Sequence, residues 1–462
     1  MDTSTQKKHS FMAIFLKGET ISTFWNLITK AIGLLNTFLT ITSLTLYQYG
    51  VFQLILSFSG MPSDVLNLGS GVVSNEMSRA IADNRVGDAK RLFLEYSFVR
   101  IIMTIIAWAT IFFGSIYLFS NYDLDFVKDM RVISFLILSE GAFVLIRLLC
   151  LVRLKFSVVS MRYTINKAIQ SVILIYFFLQ GNLGLKQLIW SIVIASALSV
   201  IAVSFGFFKV YFKWKDVKIS NKILLFDIYL VYGTWDTVRQ FINKITFRVK
   251  PWLIKLFIGT EAVAIYSIAE TIITTIQDLI PSNTMQSLVP LWIKDKHLSV
   301  KMFSYGIKYF VLGGIVVSLV SLVIVPPIIN TFFSKYNESI PLFYLMLLNV
   351  PIFASGIIIG NYIIAFRKQK YLFFLHLFRN SLALLIIILT IPYIGLWGLA
   401  LEFVLIPLIM VITNYLYTKS EDKGFHFDLD IIFGFKEEDK IIIKKGISIV
   451  RGWFVRYGLL TQ

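Results

Sequence analysis

Three stretches of this chain, 101–119, 188–207 and 311–329, contain no charged residue. Each is close to the roughly 20 residues that an α-helix needs to cross a bilayer core of about 30 Å. An amphipathic helix on a soluble domain would show a polar side chain at every third or fourth position, and these segments do not. Backbone groups in hydrocarbon find no water, so such runs must fold as helices that satisfy their own hydrogen bonds. Composition agrees: 57% of the 462 residues are hydrophobic and 15% are charged, where a soluble chain would carry about a quarter charged residues.

Hydropathy places helices at 21–44, 46–73, 95–119, 131–152, 160–180, 187–211, 224–258, 260–292, 303–331, 338–366, 371–391 and 394–418. The first of these has no small-residue cleavage site and reads as a helix, not a signal peptide. The polar stretches between helices are short, so an all-α integral membrane bundle of about 12 transmembrane helices is expected. Lysine and arginine concentrate in the N-terminus, every second loop and the C-terminus, which places both termini in the cytoplasm. The net charge of +17 is therefore read as topology, with no nucleic-acid partner. Lys308, near a helix boundary, is read the same way. Residues 441–460 mix apolar positions with Lys444, Lys445, Arg451 and Arg456. That pattern suits a basic amphipathic helix on the inner leaflet or a partly ordered cytoplasmic tail, and not a further span.

The two halves resemble each other at an offset of 214 residues. Lys30 falls on Lys244 and Asp64 on Asp278, while Lys167 and Arg379 match more loosely. Six helices separate the copies, and an even number gives repeats of the same topology about an axis along the membrane normal. The expected architecture is two pseudo-symmetric six-helix lobes around a central cavity, residues 1–211 and 212–418, with 419–462 as the tail.

A charge at the centre of a membrane helix costs about 2.5–3.5 kcal/mol, so such residues are expected to face a wet cavity, an ionic ligand or each other. Lys30, Lys244, Arg239, Arg248, Lys167 and Arg379 are the candidates for a cationic cavity. Lys30 and Lys244, at matching places in the two halves, are expected to face each other across the pseudo-two-fold axis; snorkelling and pairing with acids are the alternatives. Asp236, Gln240, Asn243, Lys244 and Arg248 read as one polar stripe, on which Asp236 and Arg239 can also bridge locally. Asp64, Asp236, Glu270 and Asp278 are candidate ion-coupling acids or partners of the cations. Cations exceed the nearby acids, which suits an anion. Cys150 is the single cysteine, the four histidines are scattered, and no phosphate loop or catalytic motif is present, so neither an enzyme nor a metal site is expected.

Three pieces of sequence carry a family resemblance. The first is Tyr49-Gly50-Val51-Phe52-Gln53-Leu54, with the stretch 69–79 that follows. The second is Gly259-Thr260-Glu261-Ala262-Val263-Ala264-Ile265-Tyr266-Ser267-Ile268-Ala269, and the third is Pro392-Tyr393-Ile394-Gly395-Leu396-Trp397-Gly398-Leu399-Ala400. In this order, over residues 20 to about 418, the chain resembles the polysaccharide flippases of the multidrug/oligosaccharidyl-lipid/polysaccharide (MOP) exporter superfamily, in particular the Wzx-type O-antigen and capsular repeat-unit flippases.

The resemblance implies a MATE-like fold and a membrane transporter. Its substrate would be an undecaprenyl-diphosphate-linked oligosaccharide, moved from the inner to the outer leaflet by alternating access for cell-surface polysaccharide biosynthesis. It implies a bacterial or archaeal plasma membrane, polysaccharide polymerase and glycosyltransferases as partners beside the lipid bilayer, and Na+ or H+ coupling without another cofactor. A small-molecule or drug antiporter of the same fold would favour an acidic or aromatic pocket, which the surplus of cations argues against. A lipid-linked peptidoglycan-precursor flippase is a further alternative, though its relatives carry two more helices.

Overall fold

The computed structural model describes residues 25–120, 122–153, 155–228, 234–278, 280, 296–365, 369–421, 430, 434, 435, 437, 439 and 440. Every regular element among the described residues is helical. Residues 25–43 form α1, followed by α2 (Leu46–Leu66), α3 (Ser70–Ala82), α4 (Val86–Leu118), α5 (Leu124–Val152), α6 (Phe156–Leu179) and α7 (Leu185–Tyr211). After a single turn at Leu225–Ile228 come α8 (Thr234–Phe257), α9 (Thr260–Gln277), α10 (Lys296–Phe332), α11 (Ser339–Leu347), α12 (Asn349–Ala365), α13 (Gln369–Ile394) and α14 (Leu396–Glu421). The basic stretch 441–460 lies outside the described residues.

Among the described residues, 7 segments are long and apolar enough to cross a membrane: α4, α5, α7, α10, α11 with α12, α13 and α14. The helices α6 and α8 are less apolar because they carry Arg162 and Lys167, and Lys244 and Arg248. Only 17% of the apolar window of α4 or α10 is buried, against 56% for α5. Phe98, Ile105 and Phe113 of α4 and Leu319 and Val323 of α10 are accordingly exposed. In a membrane helix those faces meet lipid, where apolar surface carries no penalty.

Two helices depart from the hydropathy pattern for local reasons. The run 46–73 breaks after Leu66, where Asn67 Nδ2 donates back to the Ser63 carbonyl at 2.9 Å and Gly69 adopts a φ of 73°. The chain then restarts as the more polar α3. In contrast, α4 begins at Val86, ahead of its apolar run, because Lys90, Arg91 and Glu95 continue the helix with good helix formers.

The chain divides into two compact units. One joins the chain up to Ile268 with Ile328–Ser339 and Gln369–Gly398; the other holds Ala269–Pro327, Ile340–Lys368 and the chain from Leu399. In the first, α5 packs on α4 and α7, α6 on α7, and α8 on both α2 and α13. Met130, Ile133, Ile137 and Ile189 form one buried core between these helices. A Cβ on Gly50 would lie 2.0 Å from the Thr260 carbonyl oxygen, so two of the family-bearing pieces touch at a point where only glycine fits.

The segment after α7 is strapped to α4. Lys90 Nζ donates to the carbonyl oxygens of Trp214 at 2.7 Å, Lys215 at 3.3 Å and Val217 at 2.9 Å. Glu95 Oε2 accepts the backbone N–H groups of Leu224 at 3.1 Å and Leu225 at 3.0 Å, while Arg91 Nε holds Glu95 Oε1 at 2.6 Å. These charges satisfy backbone groups that a helix end and a loop leave open.

In the second unit, Lys308 of α10 donates to Asp439 Oδ1 at 2.7 Å and to the Gly434 carbonyl at 2.6 Å, and the Tyr309 hydroxyl donates to the same carboxylate at 2.5 Å. The Lys308 and Asp439 side chains are 7% and 0% exposed. Besides any part in topology, Lys308 anchors the chain beyond α14 through a buried ion pair.

Candidate functional site

On α8 the polar stripe divides between two neighbours. Lys244 and Arg248, one turn apart, reach the same acid on α2. Lys244 Nζ donates to Asp64 Oδ1 at 2.7 Å, and Arg248 Nε donates to Asp64 Oδ2 at 2.8 Å. Of the two roles open to Asp64, partner of the cations is the one displayed. One carboxylate meets two cations, so this group of three carries one surplus positive charge. The side chains of Asp64, Arg248 and Lys244 are 20%, 25% and 33% exposed, shielded but within reach of a ligand. Met61, Val65, Phe241 and Ile245 wall the recess, and apolar walls strengthen electrostatic contacts by excluding water.

Backbone placement fixes this cluster. Gly60, one turn before Asp64, leaves room for the Arg248 guanidinium to lie over α2. Arg248 Nη1 also approaches the Leu56 carbonyl at 3.5 Å, and the Ser57 hydroxyl donates to the carbonyl of Arg248. The pair α2 and α8 is thus pinned along residues 56–64.

Arg239 and Asn243 turn instead toward α13. Asn380 Nδ2 donates to the His376 carbonyl at 2.7 Å and to Asn243 Oδ1 at 2.5 Å. That leaves the Asn243 amide nitrogen to face His376 Nδ1 at 3.2 Å. The other ring nitrogen, Nε2, lies 3.4 Å from Arg239 Nη1, so the imidazole of α13 links Arg239 and Asn243 of α8.

The other sequence candidates lie elsewhere. Lys30 is at an exposed position of α1, one residue after Thr29, whose hydroxyl shares a 2.7 Å hydrogen bond with that of Thr164. On α6, Lys167 is half-buried; its Nζ donates to Gln170 Oε1 at 3.3 Å and its carbonyl accepts from Asn36 Nδ2 at 3.1 Å. Arg379 is half-buried on α13, Glu270 is half-buried on α9, and Asp278 sits in an exposed turn just past α9. Asp236 is on α8, but its side chain lies outside the described residues.

Three polar residues lie outside the candidates that the sequence offers. His376 and Asn380 sit one turn apart on α13, with Arg379 between them. Arg162 of α6 is 4% exposed, pairs with Glu140 of α5 and donates to Ser196 Oγ of α7 at 3.0 Å. Ser196 in turn donates to Glu140 Oε1 at 3.1 Å, and the Arg162 guanidinium lies 4.3 Å from the centre of the Phe143 ring. This closed network ties three helices together and is structural in character.

The family of polysaccharide biosynthesis proteins matches residues 15–295 of this chain, more than half its length. This chain belongs to the polysaccharide biosynthesis protein family. The matched region contains the whole Asp64–Lys244–Arg248 cluster. The fold of this polysaccharide biosynthesis protein is similar to those of solved MOP superfamily transporters. A multidrug resistance MATE family transporter in its inward-facing conformation is similar with a TM-score of 0.68 and 12% identity, over 85% of this chain and 94% of that one. The lipid II flippase MurJ in an inward closed conformation is similar with a TM-score of 0.66 and 13% identity, over 96% and 100% of the two chains. A MOP superfamily transporter from Pyrococcus furiosus, described by the reversed polarity of its binding pocket, is similar with a TM-score of 0.59 and 14% identity, over 87% and 92%. At such identities the likeness is one of fold. No curated protein matches the sequence significantly. The chain is a member of the polysaccharide biosynthesis family whose described residues include 7 helices long and apolar enough to cross a membrane.

Proposed function

We propose that this protein translocates an oligosaccharide linked to undecaprenyl diphosphate from the inner to the outer leaflet by alternating access, with both termini in the cytoplasm. The observation that carries this reading is the surplus cation at Asp64, Lys244 and Arg248. A diphosphate taken from water into an apolar site needs charge-assisted donors, and these two side chains offer them once Asp64 gives way. Asp64 then serves as the resident counter-ion of the empty site, holding Lys244 and Arg248 in position until the substrate anion replaces it. The polar group of Arg239, His376, Asn243 and Asn380 is of the kind that exchanges hydrogen bonds with sugar hydroxyls.

Family membership supports the polysaccharide assignment, and MurJ, which is similar in fold, is described as a lipid II flippase. Lys30, Lys167 and Arg379 are further cationic candidates along the path. Asp236, Glu270 and Asp278 remain the candidates for Na+ or H+ coupling. Polysaccharide polymerase and glycosyltransferases are the partners that such a substrate calls for.

The test is transport in proteoliposomes. A fluorescent oligosaccharide on a prenyl diphosphate is placed in the bilayer, and its exposure to a membrane-impermeant quencher is followed with time. Protein-dependent exchange between leaflets is expected, with a rate that changes when a Na+ or H+ gradient is collapsed. No exchange of this lipid, together with gradient-driven movement of an organic cation, would replace the flippase reading with that of a drug antiporter.

A further inference from the structure

A second cavity adjoins the cationic cluster. Its volume is about 620 Å³, inside the roughly 300–1,000 Å³ range of small-molecule sites. Val65 of α2 and Leu68 just beyond its end line both this cavity and the recess of Asp64 and Lys244, so the two adjoin. Val99 and Met103 on the exposed side of α4 and the exposed Phe226 of the strapped segment also line it. The wall is almost wholly apolar, which excludes a sugar and suits a hydrocarbon chain.

Arg91, Glu95 and Arg100 of α4 also line the cavity. The acid is committed to Arg91 and to the backbone of Leu224 and Leu225. A cavity with a largely apolar wall that adjoins the Asp64–Lys244–Arg248 cluster fits the tail of an amphiphile whose anionic head sits at that cluster.

We propose that this cavity holds the first isoprene units of the lipid carrier while its diphosphate occupies Lys244 and Arg248. The inference rests on the flippase reading and adds a tail site to it. The strap made by Lys90 and Glu95 is then what shapes the tail site, because it fixes Leu225 and Phe226 against α4.

The experiment measures binding to the purified full-length protein in nanodiscs. Two probes share one sugar diphosphate head: one carries a long prenyl chain, the other a methyl group. Wild type is expected to bind the prenyl probe more tightly. Met103→Trp, which fills the cavity, is expected to weaken the prenyl probe by about tenfold or more, from the loss of a few buried methylene equivalents, and to leave the methyl probe unchanged. Val99→Trp is the second variant, used if the first does not fold. On wild type, a photoreactive group on the first isoprene unit is expected to label Met103 or Phe226.

Undiminished prenyl binding in a folded variant, or labelling confined to other residues, would overturn the tail site while leaving the head-group site standing. Displacement of the prenyl probe by an equal concentration of phosphatidylglycerol would overturn it as well, marking a general lipid site. If wild type binds neither probe, the flippase reading fails, and the tail site with it.

Discussion

A methyl group on Gly60 would stand 2.3 Å from the guanidinium carbon of Arg248. The missing side chain therefore decides where the arginine lies, and with it how Asp64 divides its charge. Gly60→Ala is expected to preserve the fold, since the displaced group is the far end of a flexible side chain. Flipping should fall by about tenfold, the worth of one charge-assisted hydrogen bond of roughly 1.5 kcal/mol. Initial flipping rates compared with melting temperatures check this: a drop in rate at nearly constant melting temperature is the expected pattern.

Asp64→Asn separates affinity from turnover. If Asp64 is displaced by the diphosphate, removing its charge relieves a competitor for Lys244 and Arg248. Binding of a prenyl diphosphate should tighten by about tenfold, while turnover slows because nothing helps the product leave. Equilibrium binding and flipping rate, measured on the same preparation, should move in opposite directions.

The helical membrane fold was legible from apolar runs alone, because hydrocarbon leaves a chain few other options. Lys244 and Asp64 were legible as singular charges, which the expected sequence repeat sets beside Lys30 and Asp278 respectively. Their contact with each other was not, since helix spacing relates residues on one helix and says nothing about which neighbour a side chain meets. The stripe on α8 was visible for the same reason, and its division between α2 and α13 was hidden. His376 and Asn380 have the i, i+4 spacing of one helix face beside Arg379, but polar groups in an apolar run are a weaker signal than a buried charge. The break after Leu66 had a cue in Asn67 and Gly69, which the apolar run outweighed.

Glu140→Gln tests the network across α5, α6 and α7. It leaves Arg162, whose side chain is 4% exposed, without its counter-charge. Stability should drop by about 3–5 kcal/mol, as for a buried pair broken on one side. Adding Arg162→Met should recover most of the loss. Melting curves of the single and double variants decide between this coupling and two independent effects.

Asp439→Asn removes the acid that Lys308 and Tyr309 share, in a site where Asp439 is 0% exposed. The same buried-charge argument gives a cost of about 3–5 kcal/mol, carried mainly by the docking of the chain beyond α14. Limited proteolysis should cut that chain faster in Asp439→Asn than in wild type, with α10 itself cleaved no sooner.

The most direct measurement is the affinity of purified protein for a prenyl diphosphate, by calorimetry, with Lys244 and Arg248 intact and with both replaced by methionine. Two charge-assisted contacts of roughly 1.5 kcal/mol each predict a loss of about 100-fold for the double variant, with Lys244→Arg close to wild type. Equal affinity in the double variant and the wild type would contradict the assignment of the diphosphate to this pair of cations.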